Sequence, residues 1–210
     1  MHLKNKLMDL KKVKELYDHN ISEFGLDPKS VGWGTQEKIN IRFKQLFYMI
    51  EDISMPFTLN ELGSGYGEAV KYCLNNKLNI TEYVGLDISE KMIAAAETYL
   101  SDFKNKKMIL SSTLTEKKYY VIASGIFNVQ FDSKQEEWDK YILNTLHNMN
   151  DFSEKGFSFN MLTKYVDFKT ENLNYGDPLF YFDYCKKNFS KNVSLLHDYN
   201  LYEFTIVVKK

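Results

Sequence analysis

The sequence predicts an α/β fold, a three-layer sandwich in which helices cover both faces of a mostly parallel, seven-stranded sheet. Strand-like apolar segments alternate with amphipathic helical segments over residues 56–210, as expected of parallel strands joined by crossover helices. A glycine-rich turn follows the first of these strands. A short turn separates the last two strands, which predicts a hairpin and therefore an antiparallel last strand.

The length and composition fit one globular domain. The 210 residues can bury a full core, whereas two domains would each be small. We expect residues 1–55 to form a helical cover and residues 56–210 to form a ligand-binding core. Hydrophobic residues make up 44% of the chain, which excludes intrinsic disorder as the expected state.

Charge and cysteine content narrow the possible environments and partners. The net charge of -1 gives the chain no overall attraction to nucleic acid or anionic lipid. Cys73 and Cys185 are isolated in sequence, which favours reduced thiols over a disulfide framework or a metal site. No run approaches the roughly 18 apolar residues of a membrane helix, and we identify no secretory signal. We therefore expect a cytoplasmic protein that binds neither nucleic acid nor membranes.

The predicted elements follow from periodicity and capping residues. Apolar residues at helical spacing predict a helix over 7–19, and Thr35 is a suitable N-cap for a second helix that ends near residue 50. The predicted strands are 57–62, 83–86, 108–110, 119–123, 157–161, 193–196 and 202–208. The predicted core helices are 68–75, 89–100, 138–149 and 178–187. Ligands of such sheets bind at the carboxyl ends of the strands, so functional residues should follow strands one, two and four.

The motif Glu-Leu-Gly-Ser-Gly-Tyr-Gly at residues 61–67 joins the first strand to a helix. Its glycines permit a tight turn and let a ligand approach the backbone, while the helix directs its amide dipoles towards that ligand. Asp87 ends the second strand and could accept hydrogen bonds from two ribose hydroxyls. A dinucleotide turn has Gly-x-Gly-x-x-Gly, but here Glu68 stands at the sixth position and would repel a pyrophosphate. Glu61, two residues before the first glycine, instead suits a cationic ligand.

These segments resemble the first two motifs of the class I, Rossmann-like S-adenosylmethionine-dependent methyltransferases, of the small stand-alone bacterial type. The resemblance covers residues 57–210 as an architecture and implies S-adenosylmethionine as the cofactor. It implies that Glu61 and the turn residues Gly63, Ser64 and Gly65 surround the methionine part. The second motif, 83–89 with Met92, implies that Asp87 holds the ribose and that Ile88 packs on the adenine.

Later segments agree with the family in part. Residues 120–125 resemble its fourth strand, which implies that Ser124 faces the methyl donor. Many members have an acid near the adenine after strand three, and Ser112 stands in that region here. Only residues 111–118 join strands three and four, so the helix usually found there should be short or missing. The chain also lacks the Asn/Asp-Pro-Pro-Tyr/Phe pattern of many enzymes that methylate nucleic-acid bases or glutamine.

Three further residues are candidates with open alternatives. Trp33 could wall the cofactor site or belong to the core, and Arg42 could bind the donor's carboxylate or form a surface salt bridge. His197 ends the sixth strand and could remove a proton from an oxygen acceptor, or it could be an exposed turn residue.

The predicted function is methyl transfer from S-adenosylmethionine to oxygen or nitrogen of a small molecule or sugar. The alternatives are a catalytically inactive S-adenosylmethionine-binding partner protein and an aminopropyl transferase-like enzyme of the same fold. The sequence does not predict the oligomeric state or the acceptor.

Overall fold

The computed structural model of the protein describes residues 8–210 as six helices and one seven-stranded sheet. The helices are α1 (Lys11–Phe24), α2 (Gln36–Leu46), α3 (Glu68–Asn75), α4 (Glu90–Tyr99), α5 (Gln135–Asp151) and α6 (Pro178–Asn188). The strands are β1 (Phe57–Leu62), β2 (Ile80–Asp87), β3 (Lys106–Leu110), β4 (Lys118–Ala123), β5 (Ser153–Leu162), β6 (Asn192–Leu196) and β7 (Glu203–Lys209). Short 3₁₀ turns at Pro28–Val31 and Phe47–Met49 flank α2.

The sheet confirms the predicted topology. The strand order is β3-β2-β1-β4-β5-β7-β6, and β7 pairs antiparallel with both of its neighbours. The chain moves outwards from β1 through β2 to β3 and then returns to the other side of β1 as β4. This reversal leaves a crevice at the carboxyl ends of β1 and β4, where open α/β sheets bind their ligands.

Two apolar layers hold the helices to the sheet. Successive residues of β4 point to opposite faces, so Val121 packs in one layer and Ile122 in the other. One layer joins the sheet to α5 and α6 through residues such as Trp138, and the other joins it to α2 and α3 through residues such as Phe43. The strands that carry the turn motif are therefore buried on both faces, which makes them a rigid base for a site.

The predicted cap Thr35 agrees with the structure, whereas some element boundaries differ. Thr35 and Ser89 accept hydrogen bonds from backbone N–H groups in the first turns of α2 and α4. The first helix runs from Lys11 to Phe24 rather than over 7–19, because buried Ile21 extends its apolar stripe and Gly25 then ends it. Residue 7 lies outside the described residues. No helix joins β3 to β4, which confirms the prediction for this short connection.

Helix α1 covers the carboxyl ends of the strands and is held there by polar contacts. Asp18 accepts a hydrogen bond from Ser89 Oγ, and Lys14 Nζ lies 2.7 Å from Glu90 Oε2 on α4. On the opposite side, Lys12 Nζ lies 2.8 Å from Asp132 Oδ1 beyond β4. The predicted helical cover therefore spans the crevice. Within residues 8–210, no helix has the length and apolar character needed to cross a bilayer.

Candidate active site

A cavity lies between α1 and the carboxyl ends of β1, β2 and β4, and we call it the strand-end cavity. The structure brings together in its wall every cofactor residue predicted from the sequence except Arg42. These residues are Trp33, Glu61, Gly63, Ser64, Gly65, Asp87, Ile88, Met92, Ser112 and Ser124.

The glycine turn lies against the second strand and leaves no room for a side chain at Gly63. The N–H groups of Gly63 and Ser64 both donate to the carbonyl of Leu86, at 2.7 and 2.9 Å. Gly63 has φ +73°, and a Cβ there would lie 2.2 Å from Cγ2 of Ile126. The turn therefore requires glycine for both conformation and space, and it presents bare backbone to the cavity.

Asp87 is buried and already organises the turn. Its Oδ2 accepts from the Gly65 N–H at 2.9 Å, and its Oδ1 accepts from the Ser89 N–H at 2.9 Å. Burial raises the pKa of this carboxyl, while the backbone hydrogen bonds oppose that rise. Each carboxylate oxygen has a further lone pair, so both oxygens can accept an additional hydrogen bond from a ligand in the cavity.

Glu61 is a second buried carboxyl in the wall. The Tyr83 hydroxyl donates to Glu61 Oε2 at 2.5 Å. Burial, supported by the negative charges of Asp87 and Glu68, raises the pKa of Glu61 to about 8, against the lowering effect of the Tyr83 hydrogen bond. A positive charge placed beside Glu61 would favour its ionised form and lower this pKa.

Glu68 is a third wall carboxyl, which the sequence interpretation treated only as a group that repels pyrophosphate. Its Oε1 accepts from the Tyr99 hydroxyl at 2.6 Å, and its Oε2 accepts from Gln36 Nε2 at 3.1 Å. No lysine, arginine or histidine lies among the cavity residues of the described chain. The part of the wall that these residues form is therefore acidic, and it offers no basic side chain to neutralise an anionic ligand.

Three hydroxyl groups in the wall have no hydrogen-bond partner within residues 8–210. They are Ser64 Oγ and the Tyr66 hydroxyl, in the glycine turn, and Ser124 Oγ, at the end of β4, and all three residues are buried. Buried polar atoms rarely remain without a partner, so these three hydroxyls are suited to bind a ligand.

The sequence interpretation missed several other wall residues. Tyr17 and Val13 face the cavity from α1, Val31 precedes Trp33, and Tyr141 comes from α5. The apolar stripe of the first helix was a usable signal for Tyr17 and Val13, because the stripe had to face either the core or the site. No local pattern distinguishes Tyr141 from the core residues beside it.

Arg42 does not line the cavity, and this corrects its predicted place at the donor's carboxylate. It is also not the surface salt bridge of the alternative interpretation. The guanidinium is buried, and its Nε lies 3.0 Å from both carboxylate oxygens of Glu203 on β7. A guanidinium occupied in this way is not free to bind a ligand.

His197 does not line the cavity either, and its predicted role as a base does not fit this position. It follows β6 at the edge of the sheet, three strands from β4, or about 14 Å at normal strand spacing. Its ring is exposed and lies 5.9 Å from the ring of Tyr165 and 6.3 Å from that of Phe204, measured between centroids. The alternative interpretation, an exposed histidine at a turn, describes the structure better.

Comparisons with known proteins identify the family. No protein-family model matches the chain. A protein of Mycobacterium tuberculosis named "Putative methyltransferase" is 44% identical over 157 residues, which cover 74% of this chain and 94% of that protein. The fold resembles that of magnesium protoporphyrin IX methyltransferase from Synechocystis PCC 6803, solved with bound SAH (TM-score 0.62, 11% identity, 95% of each chain). It also resembles the "DhpI-SAM-HEP complex" (TM-score 0.66, 11% identity, 97% of this chain and 100% of that chain). The sequence relative and the shared fold agree with the motifs described above, and the chain belongs to the class I, Rossmann-like S-adenosylmethionine-dependent methyltransferases.

Proposed function

We propose that the strand-end cavity binds S-adenosylmethionine and that the protein transfers its methyl group to an uncharged small molecule or sugar. The observation that carries the proposal is the group of carboxyl side chains in the cavity wall, which a cationic ligand would favour in their ionised form. Glu61, Glu68 and Asp87 line it, and no residue of 8–210 adds a basic side chain to the wall. This arrangement suits a ligand with a cationic sulfonium and an ammonium group, and it disfavours the pyrophosphate of a dinucleotide.

The wall residues can be assigned to parts of the donor by their chemistry. Asp87 has two free lone pairs for the ribose hydroxyls, and Glu61 provides negative charge for the methionine part. Ile88 and Met92 supply an apolar surface for the adenine, and Ser112 adds a hydroxyl to the same wall. The bare glycine turn lets the donor lie against the backbone.

The reaction requires positioning more than acid–base chemistry. S-adenosylmethionine supplies an activated methyl group on a positively charged sulfur. The glycine turn and Asp87 hold the donor, α1 excludes water above it, and the end of β4 offers Ser124 Oγ as a polar contact on the acceptor side. In an in-line displacement the acceptor oxygen or nitrogen would form its bond to the methyl carbon as the carbon–sulfur bond breaks, so that S-adenosylhomocysteine leaves and the acceptor's proton passes to the solvent. Holding both reactants in this orientation is what would raise the rate. The proposed mechanism assigns no role to His197.

The acceptor is proposed to be a small molecule without phosphate groups, methylated on oxygen or nitrogen. The acidic wall would repel a phosphorylated acceptor, and the described wall provides no lysine or arginine to bind one. A nucleic-acid acceptor is disfavoured for the same reason. Aminopropyl transfer would require an acid for a polyamine after β4, where Ser124, Gly125 and Ile126 stand instead.

Donor binding tests the central proposal. We expect calorimetry with S-adenosylmethionine to show one site per chain, and we expect NAD not to compete, because its pyrophosphate would meet the carboxylates. Binding of NAD without binding of S-adenosylmethionine would contradict the proposal. An inactive binding protein would bind the donor but fail to transfer a labelled methyl group to any compound of a metabolite and sugar panel.

Proton release tests the role assigned to Glu61. With a pKa of about 8, this carboxyl is mostly protonated in the free protein at pH 7. A cationic donor favours the carboxylate, so binding at pH 7 should release about one proton, and the release should shrink as the pH rises through 8. Calorimetry in buffers of different ionisation enthalpy measures this number.

The matched variant for this measurement is Glu61→Gln, which keeps the shape of the side chain but cannot ionise. It should bind the donor more weakly and without the buffer-dependent enthalpy. Equal proton release from the wild type and the variant would show that another group loses the proton.

A further inference from the structure

Arg42, the only arginine in the sequence, forms a buried ion pair outside the strand-end cavity. Arg42 lies on α2 in the helical cover, and Glu203 begins β7. The Nε of Arg42 donates to both oxygens of Glu203, and its terminal nitrogen Nη2 also contacts Oε1. Arg42 is 7% exposed and Glu203 is 3% exposed, so the pair is shielded from water on both sides.

The pair is connected to the end of β4 through one side chain. The Nδ2 of Asn160 donates to Glu203 Oε2 at 3.1 Å, and its Oδ1 accepts from the Gly125 N–H at 2.7 Å. Gly125 follows Ser124 in the cavity wall and has φ +73°. Glu203 therefore helps to fix the backbone at the point where β4 enters the site.

The pair is also connected, through Trp33, to the part of the wall that the helical cover supplies. The guanidinium carbon of Arg42 lies 5.2 Å from the centre of the Trp33 ring, which gives a cation–π contact. Trp33 and Gly125 are neighbours in the wall, since a Cβ on Gly125 would lie 3.4 Å from Trp33 Nε1. One ion pair thus supports two adjacent parts of the cavity wall, Trp33 in the helical cover and Gly125 at the end of β4.

We propose that the Arg42–Glu203 pair is a positioning device that holds Trp33 and the Gly125 turn at a fixed separation. It thereby sets the shape of the cavity at the end of β4, where methyl transfer is proposed to occur. The effect on methyl transfer rests on the proposed function, whereas the contacts of the ion pair do not depend on it. A buried ion pair contributes little net stability, whereas its directional bonds fix relative position. The planar guanidinium makes the bidentate and stacked contacts together, which a lysine cannot do.

The test compares single and double variants of the pair. Arg42→Met or Glu203→Gln leaves one buried charge without a partner, so each should lower the unfolding temperature. The double variant Arg42→Met/Glu203→Gln removes both charges and should recover part of that stability without restoring the positions of Trp33 and Gly125. Arg42→Lys keeps the positive charge, but we expect it to retain neither the positions of Trp33 and Gly125 nor the donor affinity in full.

Two readouts report on position rather than stability. The emission of Trp33 is obtained by subtracting the spectrum of Trp33→Phe, since Trp138 is the only other tryptophan. Calorimetry gives the dissociation constant of S-adenosylmethionine. In the folded double variant, the Trp33 emission should shift and the dissociation constant should rise by about 2- to 30-fold, the range for residues that act through an intermediate network.

Lys118→Met is the matched control. Lys118 begins the same strand β4 at its opposite end, is 8% exposed, and lies 2.8 Å from Glu82 and 3.1 Å from Glu116. Its loss should lower stability without changing the Trp33 emission or the dissociation constant. The inference is overturned if the double variant keeps wild-type emission and affinity, or if Lys118→Met changes both equally. A wild-type protein that fails to bind S-adenosylmethionine would contradict the proposed function, while the Trp33 emission would still test the positioning.

Discussion

Replacing Asp87 with alanine is expected to weaken the binding of S-adenosylmethionine by about 100-fold or more. The proposed role of Asp87 is to accept hydrogen bonds from two ribose hydroxyls. Loss of a hydrogen bond to a charged group costs about 1.5–3 kcal/mol, so losing two costs at least about 3 kcal/mol. Each 1.4 kcal/mol corresponds to roughly a tenfold change in affinity. Calorimetry with the wild type and the variant measures the difference directly.

The structure requires a control because Asp87 also accepts from the Gly65 and Ser89 N–H groups. Alanine leaves these two donors without their partner and could disturb the turn itself. Asp87→Asn keeps one acceptor oxygen and should lose less affinity than Asp87→Ala. Asp102→Ala removes an exposed acid just after α4 and should change nothing. Wild-type affinity in a folded Asp87→Ala protein would show that Asp87 serves only to brace the turn.

Local patterns were sufficient to predict the fold and to identify the residues at the centre of the candidate site. The glycine turn and Asp87 are adjacent in space because parallel neighbouring strands end at the same edge, and β1 pairs with β2 in register from Thr58 onwards. Alternation of strands and helices, together with the final hairpin, was sufficient to predict the position of the crevice. These features depend on short-range periodicity and on general rules of sheet topology.

Residues that depend on long-range pairing could not be assigned in this way. The partner of Arg42 is 161 positions away, and nothing near either residue indicates the pair. His197 does end a strand at the correct edge, as predicted. However, β7 lies between β5 and β6, and this sheet order moves His197 away from the cavity. Glu68 was interpreted from the sequence only as a group that repels pyrophosphate, because its contacts with Tyr99 and Gln36 depend on how α2 and α4 pack.

Replacing Gly63 with alanine is expected to destabilise the protein by about 2–5 kcal/mol and to abolish tight donor binding. A left-handed backbone costs a residue with Cβ about 1–2 kcal/mol, and Gly63 has φ +73°. The added carbon would also lie 2.2 Å from Cγ2 of Ile126, and overpacking of this kind costs about 1–3 kcal/mol. Thermal or denaturant unfolding measures the first effect, and calorimetry measures the second.

Two matched variants separate backbone strain from overpacking. Gly34 has the same φ of +73° but has no atom within 4 Å of an added Cβ, so Gly34→Ala should show the strain cost alone. The double variant Gly63→Ala/Ile126→Ala lacks the clashing Cγ2. It should therefore be less stable than Ile126→Ala alone by only about the cost of the left-handed backbone. If Gly63→Ala costs no more than Gly34→Ala, the turn can yield to an added carbon. That result would show that the close contact with Ile126 is not the reason why this position requires glycine.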